Sequence, residues 1–324
     1  MRTILILLLC PLFAWADKTG LVATTTYTDD AAVLEKFTKQ LGKLADKGEC
    51  AFGKDLAKKC EENRTFKLDT LKPSDKALSP EDLAEKIKPS VFIIGTVIGD
   101  KDKGFEQGRL ATAWVVGADG YLMTNWHVLE DIADDEHFGV MNHEGKVFAM
   151  TDVVAVNKLA DVAVIKIASK DLTPLPLAAA SAKVGSWVGV LGHPADRYYT
   201  FTQGHATRYS QFKNDDGEKT RWLNITAEYA YGSSGSPVFN STGAVVGMAA
   251  LTESIDFPEE APAPQKAKRM LRSKQIKTLK KDDDKKKEEK KPDLDAAPLA
   301  FGSTLQMVVK LAAPLDDIRA LIAK

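Results

Sequence analysis

The chain has 324 residues, 44% apolar and 27% charged, with 44 Lys and Arg against 45 Asp and Glu and a formal net charge of −1. This is globular composition, and so even a balance excludes a chain that works by global charge, as a histone-like nucleic-acid binder does. Three cysteines exclude a disulfide-dense scaffold and offer no zinc-finger spacing.

The first residues read as an export signal. Arg2 precedes an apolar run from Ile4 to Phe13, and Ala14-Trp15-Ala16 supplies the small-x-small pattern at which a signal peptidase cuts. Residues 1–16 would be removed, leaving a mature chain from Asp17 that is periplasmic or extracellular. No later run reaches the roughly 18 apolar residues of a membrane span, so no transmembrane segment is expected. Loss of Cys10 leaves Cys50 and Cys60, which in an oxidising compartment are expected to close a short disulfide loop. The alternative is two free or separately buried thiols.

Residues 17–78 form a polar, helical N-terminal extension, with helices expected around Asp30–Leu44 and Lys54–Glu62; Thr28 and Asp29 are candidate caps. At Ser79-Pro80-Glu81-Asp82 a new helix starts, with an N-cap, a proline at the first helical position and early acids. It runs to about Ile87, and Pro89 stops it.

Short β-rich runs follow: Val91–Ile98, Leu110–Val116, Tyr121–Asn125, Val147–Val156, Val162–Ile167, Trp187–Leu191, Phe201–Ser210, Trp222–Thr226 and Ala244–Leu251. Many short strands separated by Gly-rich turns predict an all-β barrel or sandwich and disfavour a doubly wound sheet. A charged stretch then covers residues 253–297. Between Lys266 and Lys291 it holds 13 basic and five acidic residues, an excess of +8. The chain becomes apolar again at Leu299–Leu311, with a strand placed at Leu305–Val309, and ends in an amphipathic helix, Leu315–Ala323. The stretch therefore reads as an insertion within a fold. Its lysines are either simply solvated in a disordered surface loop or recruit an anionic polymer or membrane surface.

Three segments carry chemistry. Thr124-Asn125-Trp126-His127-Val128 ends a strand on a histidine, Leu159-Ala160-Asp161-Val162 sets an aspartate before an apolar strand, and Gly232-Ser233-Ser234-Gly235-Ser236-Pro237 sets a serine in a glycine-flanked turn. Singly each is an ordinary feature. Their order, His then Asp then Ser, is the chymotrypsin-type order. A serine hydroxyl needs an imidazole to take its proton, and the imidazole needs an acid to fix its tautomer. Glycines at 232 and 235 allow a tight turn that aims backbone amides at one point. His137 and His143 lack the spacing of a helical zinc pair, and no metal or organic cofactor is expected.

These segments resemble the trypsin-like serine endopeptidases, in particular the bacterial HtrA/Do-like branch. Leu83–Val91 is similar to that family's opening helix and first strand, Thr124–Val128 and Asp161–Ile167 to its His and Asp segments, and Leu191-Gly192-His193-Pro194 to a turn early in its second barrel. Gly235-Ser236-Pro237-Val238-Phe239-Asn240 is closest to glutamyl endopeptidases, a sister branch. Ser233 and Ser236 depart from the family's usual Asp/Asn and Gly. The resemblance covers about residues 80–255 and 299–324, and no PDZ domain is expected after the final helix.

The resemblance implies two six-stranded antiparallel barrels of chymotrypsin type within residues 79–324, with the boundary near Lys170–Val184. It makes Ser234 the nucleophile, His127 the general base and acid, and Asp161 the residue that orients His127. The amides of Gly232 and Ser234 become the oxyanion hole. It also places substrate against Ala249, Ala250 and Leu251. The side chain preceding the scissile bond lies between Glu228–Tyr231 and Gln306–Val308, with Glu228, Tyr231 and Met307 as its contacts. The activity implied is hydrolysis of polypeptide substrates through an acyl-enzyme. The alternative is an inactive protease-fold adaptor of the cell envelope.

Overall fold

A computed structural model describes residues 27–102, 104–213, 217–256 and 305–322. The export signal and the basic run Lys266–Lys291 lie outside the described residues. Among those described, twelve strands close into two antiparallel barrels. The first comprises β1 (Val91–Asp100), β2 (Gly104–Gly117), β3 (Tyr121–Thr124), β4 (Glu136–Met141), β5 (Val147–Asn157) and β6 (Val162–Ile167). The second comprises β7 (Trp187–Gly192), β8 (Thr200–Lys213), β9 (Lys219–Ile225), β10 (Pro237–Phe239), β11 (Val245–Asp256) and β12 (Leu305–Pro314). Each closes in the same order, with strands 1-2-3-6-5-4 of its own set as neighbours.

Alternation along the strands explains how the barrels meet. On β2, Ala111, Ala113 and Val115 pack inside the first barrel with Phe92 and Ile94. Trp114 and Val116, pointing the other way, join Val162 and Val164 in a cluster shared with Val190, Leu223, Val238 and Phe239 of the second barrel. Strands buried on both faces read as continuous apolar runs, which is the texture of Val162–Ile167. Each fully buried Val, Leu or Phe contributes roughly 1.5–3 kcal/mol.

The helices cover this core. In α1 (Asp30–Asp46), Asp29 caps the first turn through a 3.0 Å bond from the Ala32 amide. Phe37 and Leu41 are buried against Ile93, Val97 and Met141. α2 (Gly53–Glu61) adds Leu56 and Cys60, one turn apart on one face, to the first barrel's cluster. α3 (Pro80–Ile87) is capped by Ser79, whose hydroxyl accepts from Asp82 at 3.1 Å, a cap worth about 1 kcal/mol. α4 (Leu315–Leu321) buries Leu315, Ile318 and Leu321 between the barrels' packing layers. The segment from α2 to α3 is a strap: Arg64 exchanges backbone bonds with Val156, Phe66 donates to Leu321 and Leu78 donates to Ser241.

The expected Cys50–Cys60 disulfide is not formed. Both thiols are free and buried. Cys50 packs with Phe37 and Leu41 beneath α1, whereas Cys60 faces the first barrel with Leu56. Burial, aided by Glu49, pushes the Cys50 thiol up to about 12, and burial pushes Cys60 up to about 11. Neither is a nucleophilic thiolate.

Four other expectations change. Glu136–Met141, absent from the expected β-rich runs, is a strand whose His137 pairs with Val97 on β1. Pro237–Phe239 is a further short strand. β11 continues through Glu253–Asp256, residues expected in the charged stretch, and Glu253 pairs with Val309. β12 correspondingly runs past Val309 to Pro314.

Candidate active site

His127 lies in a 3₁₀ turn, Trp126–Leu129, directly after β3. Arg109 on β2 fixes the chain beyond that turn, donating to the carbonyls of Val128, Glu130 and Asp131. Its guanidinium is itself held by a two-pronged pair with Glu136, at 2.8 and 3.1 Å, and Glu136 is 2% exposed. Bidentate pairs of this kind fix geometry as well as charge.

Asp161 sits just before β6 with a φ of 54°, in the left-handed region. Asp tolerates that region better than most residues, and the surroundings hold it there. Buried Asn125 donates its side-chain amide to the Asp161 carbonyl at 2.8 Å. One Asp161 carboxylate oxygen accepts from the His127 backbone amide at 2.9 Å, and the other lies 2.8 Å from His127 Nδ1. That pairing assigns the Nδ1–H tautomer and leaves Nε2 as an acceptor. Nε2 lies 2.8 Å from Ser234 Oγ. Burial of the imidazole lowers its pKa, but the hydrogen bond and charge of Asp161, with the charge of Glu130, outweigh it and the net shift is upward.

Ser234 comes from the second barrel, in the turn before β10. Gly235 has φ +87°, and a Cβ there would collide with the Thr112 carbonyl, so the close approach requires glycine. Thr112, on β2, fastens this turn to the first barrel. Its amide donates to the Ser234 carbonyl at 2.8 Å and its hydroxyl to the Gly232 carbonyl at 2.9 Å. The Tyr231 carbonyl accepts from Ala195 N–H at 2.8 Å. A trans peptide points its N–H opposite to its C=O, so the Gly232 amide, at φ +83°, faces away from the Pro194–Tyr199 loop. Neither the Gly232 nor the Ser234 amide donates to a protein acceptor among the described residues.

That loop is braced in turn. Ala195, Asp196 and Tyr199 all have φ between 48° and 60°, strain that persists only where the surroundings impose it. Tyr198 N donates to Asp30 of α1 at 3.2 Å, and Tyr199 N to His193 Nδ1 at 3.1 Å. His193 is fully buried, which lowers its pKa to about 3 and keeps the ring a neutral acceptor.

The expected substrate contacts are only partly brought together. Ala249 and Ala250 are buried on β11, and Ala250 O lies 3.4 Å from Ser234 Oγ. Leu251 is half-exposed beside them. The Tyr231 ring is 74% exposed. Glu228 projects outward and pairs with Lys310 at 3.0 Å. Met307 lies apart from them: the register pairs it with Ile255, four residues beyond Leu251 and roughly 13 Å along the strand. Lys310, opposite Thr252, is the β12 residue beside the 228–231 segment. Sequence reasoning missed Thr112, Asn125, Arg109, Ala195 and Lys310. For the first four no local signal exists; Lys310 stands out as a lysine inside Val308-Val309-Lys310-Leu311-Ala312. Among the described residues no cluster of His, Cys, Asp and Glu could hold a metal.

Two six-stranded antiparallel barrels with a serine, a histidine and an aspartate meeting in their seam define the trypsin-like class. Residues 111–248 match the profile of the trypsin-like peptidase domain. The chain's homologues are serine endoproteases of DegP/HtrA type. It is 30% identical over 151 residues to a probable periplasmic serine endoprotease, DegP-like, of Pseudomonas fluorescens, covering 46% of this chain and 30% of that one. It is 29% identical over 185 residues to the mitochondrial serine protease HTRA2 of Bos taurus, covering 54% and 39%. The serine endoprotease of Yersinia pestis, a crystal structure, is similar over 63% of this chain and 68% of its own, at 21% identity and a TM-score of 0.45. The chain spans about a third of the length of the curated relatives it matches.

Proposed function

We propose that the protein is an exported serine endopeptidase, with Ser234 as nucleophile, His127 as general base and acid, and Asp161 orienting and stabilising the imidazole. The observation that carries this is the continuous chain Ser234 Oγ, His127 Nε2, His127 Nδ1, Asp161 Oδ2, with 2.8 Å at each hydrogen bond. Ser234 Oγ attacks the scissile carbonyl carbon while its proton passes to Nε2. The carbonyl oxygen becomes an oxyanion, for which the Gly232 and Ser234 amides are the donors. Collapse breaks the C–N bond, and the Nε2 proton leaves on the amine. Water then repeats the sequence on the acyl-enzyme: its proton goes to Nε2, the ester C–O bond breaks, and Ser234 recovers the proton. A preorganised pair of amide donors contributes several kcal/mol to such a reaction.

The export reading rests on the Arg2–Ala16 pattern and agrees with relatives named periplasmic. No helix among the described residues is long and apolar enough to cross a membrane. The deciding experiment is casein hydrolysis and fluorophosphonate labelling, wild type beside Ser234→Ala. The expected result is labelling and turnover in wild type and a loss of several orders of magnitude in the variant. Wild type that takes up no label, or labelling that survives Ser234→Ala, overturns the proposal.

A further inference from the structure

We infer that Lys310 is the specificity-determining residue of the pocket for the side chain preceding the scissile bond, and that this pocket takes acidic side chains. The inference rests on the peptidase reading above and names its substrate class. Lys310 is 5% exposed, on a strand whose other central residues are apolar. A buried ammonium costs several kcal/mol in desolvation, and an apolar residue of similar volume would serve the strand better. Stability does not account for it.

Its position accounts for it. The Ser234 hydroxyl touches the Ala250 carbonyl, the Tyr229 hydroxyl donates to the Leu251 carbonyl at 3.2 Å, and Thr252 is paired with Lys310. The Lys310 amine donates in turn to the Tyr229 carbonyl at 2.6 Å. The nucleophile, the β11 edge and the ammonium thus follow one another through Tyr229, over whose ring the Lys310 amine lies at 5.4 Å. Beyond Ala249 the β11 edge away from β12 pairs with no strand among the described residues, an edge along which an extended peptide can add as a further strand. A substrate carbonyl on Ser234 directs the adjoining side chain into the space that Lys310 faces.

The charge chooses the occupant. An ammonium has three N–H donors, of which the Tyr229 carbonyl takes one and Glu228 another. The Glu228 side chain is 76% exposed while that of Lys310 is 7% exposed. An ion pair with so solvated a partner is worth little, so Glu228 is a displaceable counter-ion. A substrate Glu or Asp would engage the third donor or take the place of Glu228. A substrate Lys or Arg would meet a buried like charge.

The test uses the full chain and peptide substrates identical except for Glu, Asp, Gln, Ala, Val or Lys before the scissile bond. The expected result is kcat/KM at least about tenfold higher for Glu than for isosteric Gln, with Lys the poorest. Lys310→Met should bring Glu and Gln within about twofold. The surface variant Glu228→Gln should widen the Glu preference, which keeps the inference testable if Lys310→Met fails to fold. Equal or faster cleavage after Gln, Ala or Val by wild type overturns the inference, and Ser234-dependent hydrolysis then leaves the peptidase reading standing. Absence of fluorophosphonate labelling overturns both.

Discussion

The imidazole of His127 stands between opposing influences: burial lowers its pKa, and Asp161, helped by Glu130, raises it further than burial lowers it. Only the neutral ring accepts the Ser234 proton, so kcat/KM should rise with pH as the ring loses its proton. With the pKa raised, the midpoint should lie above the ordinary histidine value of about 6.5. Asp161→Asn removes both the charge and the tautomer lock; it should move the midpoint down and cut kcat by roughly four orders of magnitude. Glu130→Gln should give a smaller downward move with kcat largely kept. A wild-type midpoint below 6 would contradict this balance of causes. The three residues of this network were legible in the sequence because each stands at a strand end or a glycine turn, in an informative order. Thr112 and Asn125 were not. Their bonds reach Gly232 and Asp161 across 120 and 36 positions, and a threonine in a strand or an asparagine before a turn carries no mark of such partners.

At the scale of elements, the longer strands were legible as β-rich runs between turns, while the short or polar strands were not. β10 has three residues and begins with proline. β4 contains Glu136, His137 and Gly139, and owes its place to pairing with β1 on one side and β5 on the other. Such strands exist because a barrel must close, a condition absent from any local window. The role of the N-terminal helices was equally hidden. α1 supplies Asp30 to the loop that turns the Tyr231–Gly232 peptide, and the α2 terminus offers the Cys60 carbonyl to Trp126, beside His127, at 3.2 Å. Phe37 and Leu41 also cover Ile93, Val97 and Met141. A chain starting at Ser79 would expose that apolar face and release both sides of the active site. It should be insoluble or, if recovered, should lose most fluorophosphonate labelling. A soluble, fully labelled truncation would show that α1 and α2 are dispensable.

At the scale of the molecule, the site exists only where the barrels meet, since His127 and Asp161 belong to one and Ser234 to the other. The seam is secured by the shared apolar cluster, by Thr112 reaching the serine turn, and by the strap from Arg64 to Leu78. None of these fastenings uses the residues between Asp256 and Leu305. Those two residues are themselves register partners at the end of the β11–β12 ribbon, so the ends of the charged stretch are already side by side. Loop-closure entropy grows only logarithmically with length, about 0.6 kcal/mol per doubling. Deleting residues 258–296 leaves nine residues to bridge the ribbon and shortens the connection about fivefold, a stabilisation of roughly 1.5 kcal/mol by that relation. The deletion should therefore keep the unfolding midpoint at or above that of the full chain. Cleavage of small peptides should remain within about twofold. A fall in the midpoint by several degrees, or loss of labelling at Ser234, would mean that the stretch packs on the barrels and helps hold the seam. Unchanged peptide cleavage with weakened retention on an anionic resin would instead assign its +8 excess a recruiting role separate from the catalytic chemistry.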